Sequence, residues 1–201
     1  MAFLIDDAYL PAILTAPPMS DEEFVSFCAG YPDYFFEMNA DGDLIVMPPH
    51  FSWMGVRNST INAALATWAR CDLRGITCDS SSGFVLPNGA RRSPDCSWTL
   101  KSRVAALDPV SRKTFWRLCP DFVIELRSSW DRLRVLKEKM EEYISNGAQL
   151  GWLIDPDAHS VMIYRADRSV ETCHDIESLA GEGPVAGFVL DLTPIWNPFA
   201  D

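Results

Sequence analysis

The segment Asp121-Phe122-Val123-Ile124-Glu125-Leu126 is apolar on both alternating faces until it approaches its far end. Successive side chains of a strand point to opposite faces, so a run of this kind belongs inside a sheet that is covered on both sides. A buried central strand is the natural inference. Its one ionisable interior residue, Glu125, then faces a large penalty unless something compensates its charge.

The surrounding chain supplies helices and strands in alternation. Ser20-Asp21-Glu22-Glu23 is a capping box that starts a helix expected to run to about Gly30. Tyr34 to Met38 and Asp43 to Met47 flank Asn39-Ala40-Asp41-Gly42, which predicts a β-hairpin whose Asp-Gly takes a positive φ and which Pro48-Pro49 ends. Trp53 to about Arg70 carries Val56, Ile61, Ala64, Leu65 and Trp68 at helical spacing. From Gly75 to Leu100 several short strands follow, with a turn at Pro87-Asn88-Gly89, and Lys101 to Trp116 is weakly helical.

Asp131 to Asn146 is the strongest helix, with Leu133, Leu136, Met140, Tyr143 and Ile144 on one stripe and Gly147 as its stop. Leu150 to Ile154 and Ser160 to Tyr164 read as strands around a turn, and Phe188-Val189-Leu190 with Ile195-Trp196 as a last strand and closing turn. No repeat, low-complexity stretch or linker interrupts the series. One α/β domain over residues 1–201 is expected.

Charge decides which partners this domain can have. The formal net charge is −11, which by itself disfavours a phosphate backbone. Its distribution is uneven: residues 1–56 carry −9, residues 57–139 carry +7 and residues 140–201 carry −9. A local basic segment can attract an anion inside an acidic protein, because the field near a cleft depends on nearby charges. The alternative is that these arginines are ordinary solvated surface residues. Six cysteines lack CxxC spacing and read as buried free thiols. Met1 to Pro18 is apolar but has no Lys or Arg and is interrupted by Asp6 and Asp7, so it is not read as a signal peptide, and no stretch is apolar enough to span a bilayer. A cytoplasmic protein without membrane contact is expected.

Asp95 after Pro94, Glu125 and Lys139 form the informative triplet. Mg²⁺ prefers oxygen ligands and is typically held by one or two carboxylates, with its other positions left to water and substrate phosphate. A nearby lysine can orient the attacking water or stabilise developing charge. Each residue has a plainer alternative. Glu125 can pair with Arg127 or lie at a solvated strand end, Asp95 can be a turn residue, and Lys139 and Lys137, on opposite edges of the helix stripe, can cover apolar surface with their stems. No G-x-S-x-G, P-loop or G-x-G-x-x-G is present, and His50, His159 and His174 lack metal-like spacing.

Phe36-Glu37-Met38 through Gly42-Asp43-Leu44-Ile45-Val46-Met47-Pro48-Pro49, Gly83 to Ala90, Arg92-Ser93-Pro94-Asp95, Cys119 to Leu126, Lys137 to Tyr143 and Leu150 to Pro156 together resemble the Uma-two family of the PD-(D/E)XK nuclease superfamily, over about residues 17–197. The resemblance implies a restriction-endonuclease-like core, a mixed β-sheet flanked by helices, preceded here by the N-terminal helix and hairpin. It implies Asp95 and Glu125 as ligands of Mg²⁺ or Mn²⁺, with Glu37 as an additional acidic member. At Glu125-Leu126-Arg127 an arginine replaces the lysine of the E-x-K pattern. Arginine stays charged and cannot act as a base near neutral pH, so the lysine role passes to Lys139 or Lys137, with Arg127 a further member of the site.

Three functions follow as expectations. The first is a metal-dependent DNA endonuclease in which Arg57, Arg91 and Arg92 contact phosphates, as a homodimer if both strands are cut. The second is an inactive nuclease-fold domain that binds nucleic acid or a protein. The third is an enzyme acting on a small phosphorylated substrate in a narrow closed pocket.

Overall fold

The computed structural model describes residues 10–47 and 51–199. The Pro48-Pro49 stop and residues 1–9 of the N-terminal apolar stretch lie outside the described residues. The chain runs β1 (Ala12–Leu14), α1 (Asp21–Ala29), β2 (Phe35–Met38), β3 (Leu44–Met47), α2 (Ser52–Asp72), β4 (Gly75–Asp79), β5 (Phe84–Val85), β6 (Arg91–Arg92), β7 (Cys96–Leu100) and α3 (Lys101–Ala106). It continues through β8 (Phe122–Leu126), α4 (Leu133–Ser145), β9 (Leu150–Asp155), β10 (Ser160–Arg165), β11 (Arg168–His174), β12 (Ser178–Ala180), β13 (Val189–Asp191) and α5 (Thr193–Trp196).

A six-stranded sheet in the order β11-β10-β9-β8-β7-β4 forms the centre, with β8 and β9 parallel and the other pairs antiparallel. All five residues of β8 are buried, as its sequence requires of a central strand. The alternation divides the core. Phe122, Ile124 and Leu126 face α2 with its Met54, Ile61 and Leu65, while Val123 faces α4 with its Leu136, Met140 and Tyr143. Glu125 shares Val123's parity and therefore points toward α4. Met140 of α4 packs over Gly151, where a Cβ would lie 2.5 Å from its methyl.

A second sheet, β1-β3-β2-β6-β5, carries the hairpin, whose turn has Gly42 at φ 89°. Helix α1 opens on the expected capping box: Ser20 Oγ accepts from the Glu23 amide at 3.2 Å and Glu23 Oε2 accepts from the Ser20 amide at 2.7 Å. The pairing of Met38 with Arg91 joins the hairpin to β6 and brings Glu37 beside the first sheet.

Several expectations need correction. Lys101 to Trp116 is α-helical only to Ala106, with a single 3-10 turn at Ser111–Lys113, because Pro109 disfavours helical geometry at Asp108 and the Asp108 carboxylate instead accepts from the amides of Val110 and Ser111. Val56 is exposed, so the buried stripe of α2 runs through Met54, Ile61 and Leu65. Ile195-Trp196 belongs to a short helix, and β11 pairs with β10 as an edge strand with almost every residue exposed. All six cysteines are free, but only Cys96 and Cys119 are buried. Among the described residues no helix is long and apolar enough to cross a membrane.

Candidate active site

Asp95, Glu125 and Lys139 converge on one small cleft of about 80 Å³, which Ser80, Ser93 and Asp131 also line. Asp95 precedes β7 and is fixed from two sides. Its Oδ2 accepts from the Leu126 amide at 2.8 Å, and its Oδ1 accepts from the Asn58 side-chain amide at 3.0 Å. The first of these bonds ties Asp95 to the residue that follows Glu125, so the ends of β7 and β8 hold the two carboxylates in register.

Glu37 and Glu125 are 2 % and 4 % exposed. Between them lies the Lys139 ammonium, 2.9 Å from Glu37 Oε1 and 2.8 Å from Glu125 Oε1. Further bonds divide the two carboxylates in character. Glu37 also accepts from Arg92 Nη1 at 3.0 Å and from the Ser93 amide at 2.9 Å, whereas Glu125 accepts from the neutral Tyr143 hydroxyl at 3.1 Å.

Burial raises the pKa of both acids, but at Glu37 the charges of Lys139 and Arg92 prevail and hold it below the ordinary carboxylate range. Burial pushes Glu125 up to about 8 in spite of Lys139, and repulsion from Asp95 and Glu37 adds to the rise. Lys139 loses solvation on burial, yet Glu125 and Glu37 more than offset this and keep it protonated. Tyr143 is raised well above the usual tyrosine range by burial and by Glu125 and Glu37, so it remains a donor.

Lys139, then, is the lysine that enters the site. Lys137 points to solvent from the other edge of α4. Arg127 does not pair with Glu125: its Nη1 donates to Asp155 Oδ2 at 2.7 Å, and it does not line the cleft. The three arginines expected to meet phosphates are buried and engaged by protein groups. Arg57 donates to the Ile195 carbonyl at 2.7 Å, Arg91 to Asp21 Oδ1 at 2.7 Å, and Arg92 to both Glu37 and, at 2.6 Å, Glu142. Arg91 and Arg92 are poorly placed for phosphate because carboxylates already compensate their charge inside the fold, and Arg57 because its guanidinium is buried against backbone carbonyls.

Sequence reasoning missed Asn58 and Asn62. They stand one helical turn apart on α2 and grip Asp95 by its side chain and, through Asn62 Nδ2 at 3.1 Å, by its backbone carbonyl. Two asparagines at i and i+4 in a helix that neither favours were the available signal. Tyr143 was legible as core, but its hydroxyl contact with Glu125 was not.

The donor set suits a hard divalent cation. Asp95 and Glu125 supply the one or two carboxylates typical of Mg²⁺, and Asn58 Oδ1, beside Asp95, is buried without a hydrogen-bond partner among the described residues. No group of three or more His, Cys, Asp or Glu side chains among the described residues is placed to hold a metal ion. Any such ion would therefore rest on the carboxylate pair and on water.

The fold is shared with the crystal structure of a putative nuclease belonging to DUF820 from Anabaena variabilis. That structure matches with a TM-score of 0.72 at 19 % identity, over 89 % of this chain and 98 % of that one. A comparison with curated proteins finds no match. The Uma2 family model, described as "Putative restriction endonuclease", matches residues 21–193, and the chain belongs to that family.

Proposed function

We propose that this protein is a divalent-metal-dependent nuclease that hydrolyses phosphodiester bonds of DNA, with Asp95 and Glu125 as the residues that hold Mg²⁺ or Mn²⁺. The observation that carries this reading is the placement of the Lys139 ammonium against Glu125 in a cleft that Asp95 also lines. When bound, the cation supplies Lewis acidity toward the phosphate and lowers the pKa of water. Lys139, held protonated, orients the attacking water by donation and stabilises negative charge gathering on the phosphate. Glu37, itself held by Arg92, keeps that ammonium in place, and Tyr143 fixes the rotamer of Glu125.

The cleft's size separates a polymer from a small substrate. At about 80 Å³ it is far below the roughly 300–1,000 Å³ that encloses a small-molecule ligand. It suits a phosphate on a strand passing across its mouth. Phe51 and Trp130, both half-exposed and 5.7 Å apart between ring centroids, stand next to the Asp131 side of the cleft and offer ring faces to bases. Exposed Arg132, at the N-cap of α4, and Lys137 on that helix are the better candidates for phosphate contact.

A second reading, an inactive nuclease-fold domain that binds nucleic acid, is favoured by the engagement of Lys139 by two carboxylates at once. Plasmid nicking with Mg²⁺ and Mn²⁺, in parallel with calorimetric metal titration of wild type and Asp95→Ala, decides between them. Metal binding and nicking that both vanish in Asp95→Ala support the nuclease. DNA binding by a wild type that binds no divalent ion and nicks nothing leaves the inactive domain.

A further inference from the structure

We propose that Glu142 is a positioning residue: acting through Arg92 and Glu37, it sets how far the Lys139 ammonium leans on Glu125, and so how open Glu125 is to a divalent cation; this rests on the metal-dependent reading above. Five charged side chains, none more than 16 % exposed, alternate in sign along one path. Glu142 Oε2 accepts from Arg92 Nε at 2.6 Å, and Arg92 Nη1 donates to Glu37 Oε2 at 3.0 Å. The Lys139 ammonium then lies 2.9 Å from Glu37 Oε1 and 2.8 Å from Glu125 Oε1. The path leaves α4 at Glu142, passes through β6 and β2, and returns to α4 at Lys139.

Each inner member of this path is shared between two neighbours of opposite charge, and buried pairs are little screened, so a change at one end is passed along. Neutralising Glu142 leaves Arg92 with one carboxylate in place of two. Its guanidinium, a planar fork able to take a carboxylate bidentately, then turns fully toward Glu37. Glu37 Oε1 already accepts from the Ser93 amide at 2.9 Å, so a second guanidinium bond is made at the expense of Lys139. The ammonium is left to Glu125, where it competes with a cation held between Glu125 and Asp95.

Further bonds hold Glu142 in this place. Its Oε1 accepts from the Asn88 side-chain amide at 2.9 Å, and the Asn88 backbone amide donates to Asn146 Oδ1 at 2.9 Å. The turn before β6 is thereby pinned to the end of α4, which keeps Arg92 within reach of both its carboxylates.

The test is calorimetric titration of MgCl₂ into full-length wild type, Glu142→Gln, Lys139→Met, the variant carrying both, Asn88→Ala and Asp95→Ala, each with a thermal melt in EDTA. Glu142→Gln is expected to weaken Mg²⁺ about 10-fold, the lower end of what outer partners of a metal site contribute. With Lys139→Met already present, the same substitution is expected to change Mg²⁺ affinity by less than about twofold, the scatter of independent sites, because the residue it acts through has gone. Asn88→Ala, which loosens the same turn without removing a charge, is expected to lower Tm and keep the wild-type affinity. Should either charge variant fail to fold, Glu142→Asp, which draws the carboxylate back from Arg92, replaces Glu142→Gln with a smaller loss in the same direction, and Lys139→Gln replaces Lys139→Met. An affinity unchanged by Glu142→Gln overturns the inference. So does a loss of equal size with and without Lys139, the mark of a field acting directly on the cation, or an equal loss in Asn88→Ala, the mark of packing alone. If any of these happens while Asp95→Ala abolishes binding, the metal-dependent reading survives without it. A wild type that binds no Mg²⁺ removes both.

Discussion

The Lys139 ammonium reaches Glu125 across 2.8 Å and lies 2.9 Å from Glu37, so one buried cation serves two buried carboxylates. Of these two carboxylates it is Glu37 that also receives the charge of Arg92, which pairs with Glu142 as well. The asymmetry puts the more tightly held proton on Glu125, which has Tyr143 as its further donor.

Stability should therefore depend on pH through Glu125. Its folded pKa, about 8, lies above the ordinary glutamate value of 4.5, so between these values the native state holds a proton that the unfolded state has released. Unfolding free energy then falls as pH rises through this window. Glu37, with its lowered pKa, acts in the opposite sense: its contribution is present above its unfolded pKa and is lost as pH falls through its folded value. Urea midpoints between pH 5 and 9 in metal-free buffer should decline for wild type and flatten in Glu125→Gln. Midpoints that climb across this range would falsify the assignment.

Lys139→Met separates stability, metal binding and turnover. Removing one partner of a buried ion pair costs about 3–5 kcal/mol, and here the loss is expected to be greater at pH 9 than at pH 6, where Glu125 can be protonated. Nicking should drop by roughly 10²–10³, as when one donor to a developing negative charge is lost. Mg²⁺ affinity should hold or increase, because the competing cation has gone. A variant that loses Mg²⁺ binding but nicks at the wild-type rate in saturating Mn²⁺ would remove Lys139 from the chemistry.

Arg127→Lys restores the E-x-K pattern on paper, but position 127 faces Asp155. Activity is expected to stay at or below the wild-type level. Arg127→Ala leaves the buried Asp155 without its guanidinium, at a cost of about 1–3 kcal/mol, readable in a denaturant melt with little change in Mg²⁺ affinity. A gain in nicking by Arg127→Lys would show that this position reaches the cleft after all.

Salt dependence distinguishes surface cations from buried ones. Arg132→Ala and Lys137→Ala should each reduce the slope of log affinity against log salt for a DNA oligonucleotide by about 1. Arg91→Gln should leave the slope unchanged and lower the melting temperature, since Arg91 is bound to Asp21 and the Met19 carbonyl. The reverse pattern in fluorescence anisotropy would return the phosphate contacts to β6.

What the sequence by itself determined was local or nearly so. The capping box at Ser20 and Glu23, the Asp41-Gly42 turn, the stripe of α4 and the apolar run of β8 each follow from spacing, because a cap, a turn or a face is specified by neighbours in the chain. Edge strand β11 escaped because it is held by main-chain bonds to β10 and buries almost nothing. Asp95, Glu125 and Lys139 were legible as residue types with a chemistry. Their meeting, and the choice of Lys139 over Lys137, was decided when β2 brought Glu37 to one edge of α4 and left the other in water. The same packing turned Arg91 and Arg92 from a basic surface motif into buried counter-ions. A charge declares its sign in the sequence; whether it meets solvent, a phosphate or a carboxylate depends on which distant strand covers it, and only the tertiary structure supplies that.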